Sequence, residues 1–479
     1  MSVSSLSARA LDSLLGEWRS TGTVYEALAD RIRLLVLDGR VAVGTRLPAE
    51  RDLAGKLQVS RTTVAAAYRR LRELGFADSV RGSGTQTRMP AAGRAQQPEP
   101  AGAPLDFTKA ALPAPSALAA EARAAAEQLP AYLGDTGYDP VGLTVLREAI
   151  ARRYEERGLP TDPEQILVTV GAQQAIVLVA RTFLTRGDRA IIEAPTYPHA
   201  YEALHAAGAR LVGVPVTTDS PDGWDMPALE SAIRRTSPAL AYVMPDFQNP
   251  TGRTMSPEQR ERLIDAAASR GTLVVADETP AELDIDRPSC PKPLTAYAGG
   301  QQASVLLIGS ASKTMWGGLR VGWIRAERPV IRQLAIVRAG IDLGTPILEQ
   351  LLTARLLPRL DEILAERRDA LAAGRAAVCN QLAARFPDWH VPRIEGGLAA
   401  WVNIGAPVSS QLVLAARAHG LLITAGPRFG IDGAFERYLR VPIMRTPGEV
   451  ERAVDALALA WPNVIGRRVP EAAALGAVV

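Results

Sequence analysis

The chain is predicted to form a layered α/β body, a mainly parallel sheet with flanking helices and a small C-terminal α/β part, preceded by a compact helical module. Three observations lead there. From residue 105 onward, short apolar runs end abruptly in small or polar residues and alternate with helical patterns, as strands and crossover helices do. Before residue 75, apolar residues recur at helical spacing. Between the two, residues 89–104 carry Pro90, Pro98, Pro100 and Pro104 among Ala, Gly and Gln, with no apolar period, which reads as an extended linker. The expected organisation is a helical extension over 1–20, a module over 21–88, the linker over 89–104 and the body over 105–479. The body divides into a large part from about 105 to 345 and a small part from about 346 to 465.

Composition bounds the class. A length of 479 residues suggests roughly three domains. Hydrophobic residues at 47% and charged residues at 22% are ordinary for a globular protein. No apolar run approaches the roughly 20 residues of a membrane helix, so no membrane partner is expected. Residues 1–20 lack the cationic start and apolar core of a secretory signal. Cys290 and Cys379 cannot build a disulfide framework and fit a reducing, cytoplasmic setting. His199, His205, His390 and His419 are scattered, with no metal-ligand spacing. The net charge of +3 is uneven. Residues 1–90 hold 14 Lys and Arg against 9 Asp and Glu; the remainder holds 40 against 42. The basic excess points to a nucleic-acid partner for the N-terminal fifth.

In chain order, Leu6, Leu11, Leu14, Leu15 and Trp18 mark a short amphipathic helix ending near Thr21-Gly22, with docking onto the next segment the plain expectation. Residues 24–37 repeat Leu28, Ile32, Leu35 and Val36 at helical spacing, and Asp38-Gly39 stops that helix. A turn at Leu47-Pro48 leads to a helix over 49–57. Gln58-Val59 turns tightly, and Ser60 caps a third helix from Arg61-Thr62-Thr63 to Leu74, where Gly75 ends it. Two short helices joined by a tight turn, the second opening on Arg and Thr, fit a helix-turn-helix that meets base edges in the major groove of duplex DNA. Arg81-Gly82-Ser83-Gly84-Thr85 form a glycine-rich hairpin suited to a wing on the minor groove or backbone.

The runs Leu47-Pro48-Ala49-Glu50-Arg51-Asp52-Leu53-Ala54, Val59-Ser60-Arg61-Thr62-Thr63-Val64 and Tyr68-Arg69-Arg70-Leu71 resemble the winged helix of the GntR family of bacterial repressors, over nearly all of residues 24–87. The resemblance implies that Arg51 contacts phosphate, that Ser60, Arg61, Thr62 and Thr63 touch bases and backbone, and that Gly82, with Arg81 beside it, enters the minor groove.

The body turns on residues 310–320. An apolar strand over 305–308 is expected to stop at Gly309 and to present Lys313 on a loop at its carboxyl end, the edge where open α/β sheets hold ligands. A lysine there can lose its proton and form an imine with an aldehyde. Ser310 and Arg320 flank it with phosphate donors. Together they suggest a phosphorylated aldehyde cofactor, pyridoxal 5'-phosphate (PLP). Four other strands end in chemically matched groups. The strand over 166–170 breaks at Gly171-Ala172, and Gln173 opens a helix whose free amides and dipole suit an anion. The strand over 190–193 leads to Tyr197, suited either to stacking on a flat ring or to loop packing. The strand over 240–244 leads to Asn249, a turn residue with a free amide donor. The strand over 272–276 ends in Asp277, a carboxylate that needs a partner, whether a pyridinium nitrogen, a helix cap or a salt bridge.

This set resembles the fold-type I PLP aminotransferases, over roughly 105–465. The resemblance implies that Lys313 forms the internal aldimine and that Asp277 pairs with the ring nitrogen. Asn249 would bond the ring oxygen, Tyr197 would stack on the ring, and Ala172, Gln173, Ser310 and Arg320 would bind the phosphate. Tyr138 would reach the phosphate of a neighbouring subunit in a head-to-tail homodimer, and Arg440, in Tyr438-Leu439-Arg440-Val441-Pro442, would grip an α-carboxylate. One position departs: Thr279 stands where regulators of this type carry a tyrosine that also bonds the ring oxygen.

A GntR-type winged helix, a linker and an aminotransferase-like domain resemble the MocR subfamily of PLP-dependent transcription regulators. The implied function is control of transcription at a DNA operator in response to PLP or a small amine or amino acid effector, with weak or no transaminase turnover. In that family's dimer each DNA-binding domain lies over the partner's large domain. The alternative is an active aminotransferase with an accessory DNA-binding domain.

Overall fold

The structure is a computed structural model that describes residues 5–16, 18–19, 23–80, 84–89, 104–220, 222–288, 290–299, 304–431 and 433–465. Its N-terminal module holds α1 (Ala8–Leu15), α2 (Val24–Leu37), α3 (Glu50–Leu57) and α4 (Arg61–Glu73). α1 stops at Gly16, earlier than the sequence suggested, and Thr21-Gly22 lie outside the described residues. The Ser60 hydroxyl accepts the Thr63 amide at 3.0 Å and so fixes the start of α4. β1 (Ala77–Val80) and β2 (Gly84–Thr87) pair antiparallel as the wing; Arg81 and Gly82 lie outside the described residues. Leu11 and Leu15 of α1 are fully buried in one core with Leu28, Ile32, Leu53, Val64 and Leu71. At about 1.5–3 kcal/mol for each buried leucine, this burial holds α1 onto the module, the docking expected of that helix.

β3 (Leu105–Asp106) opens the body. Then come β4 (Ile166–Thr169), β5 (Arg189–Ala194), β6 (Arg210–Pro215), β7 (Leu240–Val243), β8 (Leu273–Asp277), β9 (Val305–Ser310) and β10 (Gly322–Arg325). These last seven form one sheet in the order β4-β10-β9-β8-β7-β5-β6. Only β10 runs antiparallel to its neighbours, so the other six strands end on one edge. β4, β7, β8 and β9 are buried along their whole length, which is why their sequences are unbroken apolar runs.

β9 continues two residues past the expected stop. Gly309 and Ser310 pair with Trp323 and Gly322 of β10. A Cβ on Gly309 would lie 2.3 Å from the Trp323 ring, so the glycine there serves close packing and does not break the strand. Lys313 follows on one helical turn, Ala311–Thr314, in place of the expected loop.

The C-terminal part holds β11 (Ala399–Asn403), β12 (Leu421–Leu422), β13 (Thr424–Ala425) and β14 (Tyr438–Pro442). β11, β14 and β13 form an antiparallel sheet, and β12 pairs parallel with β3, so the start of the body folds with its end. Phe107 and Leu112 share that part's core with Val402 and Leu439. Leu34 of α2 is buried in the same core. Next to it, the Arg31 guanidinium donates to Leu15 O (2.9 Å), Ser410 Oγ (3.2 Å) and Gly433 O (3.2 Å), and pairs with Glu436 at 3.5 Å. Within the chain the module rests on the small C-terminal part, against the helix Ser409–Arg417. Among the described residues no helix is long and apolar enough to cross a membrane.

Candidate functional site

The shared strand edge opens into a cavity of about 690 Å³. Ala172, Gln173, Tyr197, Asn249, Asp277, Lys313, Arg320 and Arg440 all line it, brought from five strand ends and β14. Two expected residues stand elsewhere. Ser310 is buried behind the wall, where its hydroxyl donates to Val321 O (3.2 Å) and accepts the Ser312 amide (3.1 Å); Ser312 takes the lining position. Tyr138 is 70% exposed and outside the cavity of its own chain.

One end of the cavity is built for an anion. Gly171, at φ 80°, precedes the helix Ala172–Phe183, and the first amides of that helix have no intrahelical acceptor. Arg320 donates to Val170 O at 3.1 Å and lies so close that a Cβ on Gly171 would come 2.6 Å from its Nη2. A Cβ on Gly322 would come 2.7 Å from the Ala172 nitrogen. Both glycines keep the cradle tight against the backbone. The Gln173 Oε1 is buried there without a partner.

Opposing it is a buried carboxylate. Asp277 is 2% exposed; its Oδ2 accepts the Tyr242 hydroxyl at 2.6 Å and its Oδ1 the Thr279 amide at 3.0 Å. Burial raises the Asp277 pKa, against the pull of Tyr242, Thr279 and Lys313. The Thr279 side chain also helps hold the Asp277 pKa down, so Thr279 serves the carboxylate. Tyr242 sits on β7 opposite Val275, two residues before Asp277 on the same face of β8. Sequence reasoning placed this strand over 240–244 and did not single out Tyr242. Below the Asn249 turn, Glu193 accepts from Trp224 Nε1 (2.9 Å), Met244 N (3.1 Å) and Gln248 Nε2 (3.0 Å), while Gln248 also holds Pro195 O (2.7 Å). Burial pushes the Glu193 carboxyl up to about 8.

Lys313 Nζ donates to Ala110 O at 2.9 Å. Burial, then the Arg440 charge, push its ammonium down to about 8, with Asp277 opposing. Arg440 is itself buried, donates to Thr108 O and lies 5.3 Å over the Phe429 ring; its Nε has no partner. A lysine able to shed its proton, a cationic grip, a buried carboxylate and an anion cradle are the parts of a site for a phosphorylated aldehyde and an amino compound.

Among the lining residues that sequence reasoning missed are Asp38, Arg417 and Arg428. Asp38 ends α2 in the N-terminal module, Arg417 ends the helix Ser409–Arg417, and Arg428 follows β13. No local pattern could have joined them, because only the docking of the module places Asp38 at the cavity.

On the module's outer surface Arg51, Ser60, Arg61 and Thr62 are exposed and Thr63 half-buried. Arg61, its side chain 73% exposed, meets Glu50 at 3.5 Å. Arg69 and Arg70 extend the cationic face along α4.

Two families match the chain. Residues 101–457 match the family described as aminotransferase class I and II, and residues 24–86 match the bacterial regulatory proteins of the gntR family. The chain is 31% identical over 339 residues to the 2-aminoadipate transaminase of Thermus thermophilus, covering 69% of this chain and 83% of that one. It is 27% identical over 463 residues to the HTH-type transcriptional regulator YdcR of Escherichia coli, covering 90% and 98%. Among solved structures, the α-aminoadipate aminotransferase LysN of Thermus thermophilus, complexed with N-(5'-phosphopyridoxyl)-L-leucine, superposes with a TM-score of 0.68 at 29% identity, over 76% of this chain and 93% of that one.

Proposed function

Because the chain belongs to the aminotransferase class I and II family and carries a gntR-type DNA-binding domain ahead of it, the MocR arrangement, we propose that it is a transcription regulator that senses an amine through PLP held on Lys313. The observation that carries this reading is a shared wall: Leu34, Leu37 and Asp38 of the DNA-binding domain line the same cavity as Lys313. A ligand there meets both domains, which gives it the differential contacts that coupling requires.

The residues present fit PLP. The glycine-walled cradle of Ala172, Gln173, Ser312 and Arg320 suits its phosphate, and the buried carboxylate of Asp277 suits a protonated ring nitrogen. When bound, PLP supplies a carbonyl that joins an amine and a ring that draws electron density from the amine's α-carbon. The chain does the rest. Tyr242 and the Thr279 amide fix the Asp277 carboxylate, so it faces the ring position without rearranging. Asn249, on a turn held by Gln248 and Glu193, presents its amide; Tyr197 covers one ring face; Arg440 takes an α-carboxylate. Lys313 Nζ reacts as the neutral amine. Capture of added PLP by the apo-protein is therefore expected to accelerate as pH rises, half-maximal near pH 8, because the ammonium form dominates below that value. Stopped-flow absorbance checks this, and a rate unchanged between pH 6.5 and 9 would contradict it.

The same cavity supports a second reading, a working aminotransferase, favoured by Lys313, Asp277 and Arg440 standing together. Thr279 weighs against efficient turnover, since no phenol stands there to bond the ring oxygen. Mixing the loaded protein with amino acids separates the two: fast loss of the lysine-bound cofactor absorbance, restored by a keto acid, is the enzyme's signature.

DNA recognition falls to Arg51 and the start of α4, with the wing strands β1 and β2 alongside. Arg61→Ala is expected to weaken operator binding by about 1–3 kcal/mol, roughly 5- to 150-fold, with cofactor absorbance unchanged. Fluorescence anisotropy on duplexes from the chain's own locus measures this; loss of both properties together would contradict the division of labour. The chain is further proposed to act in the cytoplasm as a head-to-tail homodimer. Leu133, Tyr138 and Leu343 are each more than half exposed, and the segments that carry them adjoin, Ile347 standing 3.7 Å from a Cβ built on Gly137. Such an apolar face suits a second copy.

A further inference from the structure

Two clusters of charge share the cavity. Asp277, Arg320 and Arg440 act on Lys313. Arg417, Arg428 and Asp38 form the second cluster, and none of them acts on Lys313 closely enough to shift it. Tyr197 connects the two, since its phenol feels Asp277 and Arg320 of the first and Arg428 of the second. Cofactor and α-carboxylate occupy the first cluster in the reading above and leave the second unused.

The second cluster is cationic and incompletely paired. Arg428 is held by Tyr201 Oη at 3.1 Å and Glu202 Oε1 at 2.7 Å, which fixes its guanidinium at the wall. Arg417 has a buried Nε without a partner. Neither Arg417 nor Asp38 has an ion-pair partner within 4.0 Å among the described residues. Asp38 nonetheless faces these groups: its carboxyl is pushed up by burial, against the opposing charges of Arg428, Arg40 and Arg417. It therefore serves as a distant, imperfect counter-ion carried on the end of α2. Charged groups in such a place gain from a carboxylate that reaches them directly.

We propose that Arg417 and Arg428 form a subsite for a second, distal acidic group, so that the effector is an amino acid with an anionic side chain, and that its binding opposes Asp38. The proposal rests on the PLP-sensing reading and names the ligand class of that site. Arg440 takes the α-carboxylate and the distal carboxylate pairs with Arg417 and Arg428. That anion then repels Asp38 at the end of α2. Because α2 also carries Leu34 and Arg31 into the small part, the repulsion acts on the docking of the DNA-binding domain. By linkage, DNA binding alters affinity for acidic amino acids by the same factor.

The test is a spectral titration of the PLP-loaded full chain with L-2-aminoadipate and L-norleucine, which match in length and differ in a terminal carboxylate against a methyl. Glutamate against norvaline repeats it at a shorter reach. The acidic member of at least one pair is expected to bind about tenfold more tightly or better, as charge-assisted hydrogen bonds would give. Arg417→Gln is expected to erase that preference while leaving norleucine unchanged. Asp38→Asn is expected to tighten acidic binding by about threefold or more, again with norleucine unchanged. Equal affinity within both pairs, a preference that survives Arg417→Gln, or an Asp38→Asn variant with wild-type affinities would each overturn the proposal. A chain that takes up no PLP at all defeats the underlying reading, and this one with it; a loaded chain indifferent to the distal acid defeats this one alone.

Discussion

Lys313→Ala is expected to abolish the lysine-bound cofactor absorbance completely and, with it, every effect of amines on DNA binding, while the protein stays folded. The reasoning is local. Lys313 makes one hydrogen bond, to Ala110 O, and its ammonium is destabilised by burial and by Arg440. Truncation removes a desolvated charge and leaves the core of β8 and β9 untouched, so stability should change by no more than about 1 kcal/mol. Chemistry changes far more. No other lysine among the described residues lines the inner cavity; Lys109, the one other lining lysine, is 78% exposed in its side chain and pairs with Asp106 at 3.1 Å. The cradle formed by Ala172, Gln173, Ser312 and Arg320 remains, so the variant should still hold PLP by its phosphate, weakly and removably by dialysis. Borohydride treatment followed by absorbance and mass measurement checks this. A variant that still fixes the cofactor covalently would move the assignment to another residue.

Arg31→Ala is the second large effect. Arg31 joins three bodies: α1 through Leu15 O, its own α2, and the small part through Ser410, Gly433 and Glu436. Glu436 in turn accepts from Ser409 Oγ and from both the amide and hydroxyl of Ser410 at the start of the helix Ser409–Arg417. Removing one member of a buried pair strands the other, at a cost of about 3–5 kcal/mol. Within the module Arg31 bonds Leu15 O, whereas Ser410, Gly433 and Glu436 all lie in the small part. The loss therefore falls on docking rather than on folding. The variant should show a larger radius of gyration by small-angle scattering and should bind its operator without responding to an amine. Unchanged dimensions with an intact amine response would remove the docked contact from the account.

Most strand ends were legible because a strand buried on both faces must be an unbroken apolar run, and the first polar residue after it marks the ligand edge. That logic found Gly171, Tyr197, Asn249, Asp277 and Lys313. It failed at Gly309, where the glycine makes room for Trp323 across the strand pair and β9 runs on, so that Ser312 and not Ser310 lines the cavity. Tyr242 was invisible as a site residue because an aromatic in a core strand carries no sign of the hydroxyl's partner; only the parallel register of β7 and β8 brings it to Asp277. Asp38, Arg417 and Arg428 lie 11 to 390 residues apart and meet through interdomain packing, for which a single sequence has no periodic signal.

The central claim is that one cavity joins the reactive lysine to the DNA-binding domain. Hydrogen–deuterium exchange of the full chain, with and without PLP and an amino acid, tests it most directly and requires no knowledge of the operator. The expected result is a change in exchange at residues 34–38 of the DNA-binding domain together with protection at 311–320. Changes confined to the body, with 34–38 exchanging identically in every state, would contradict it.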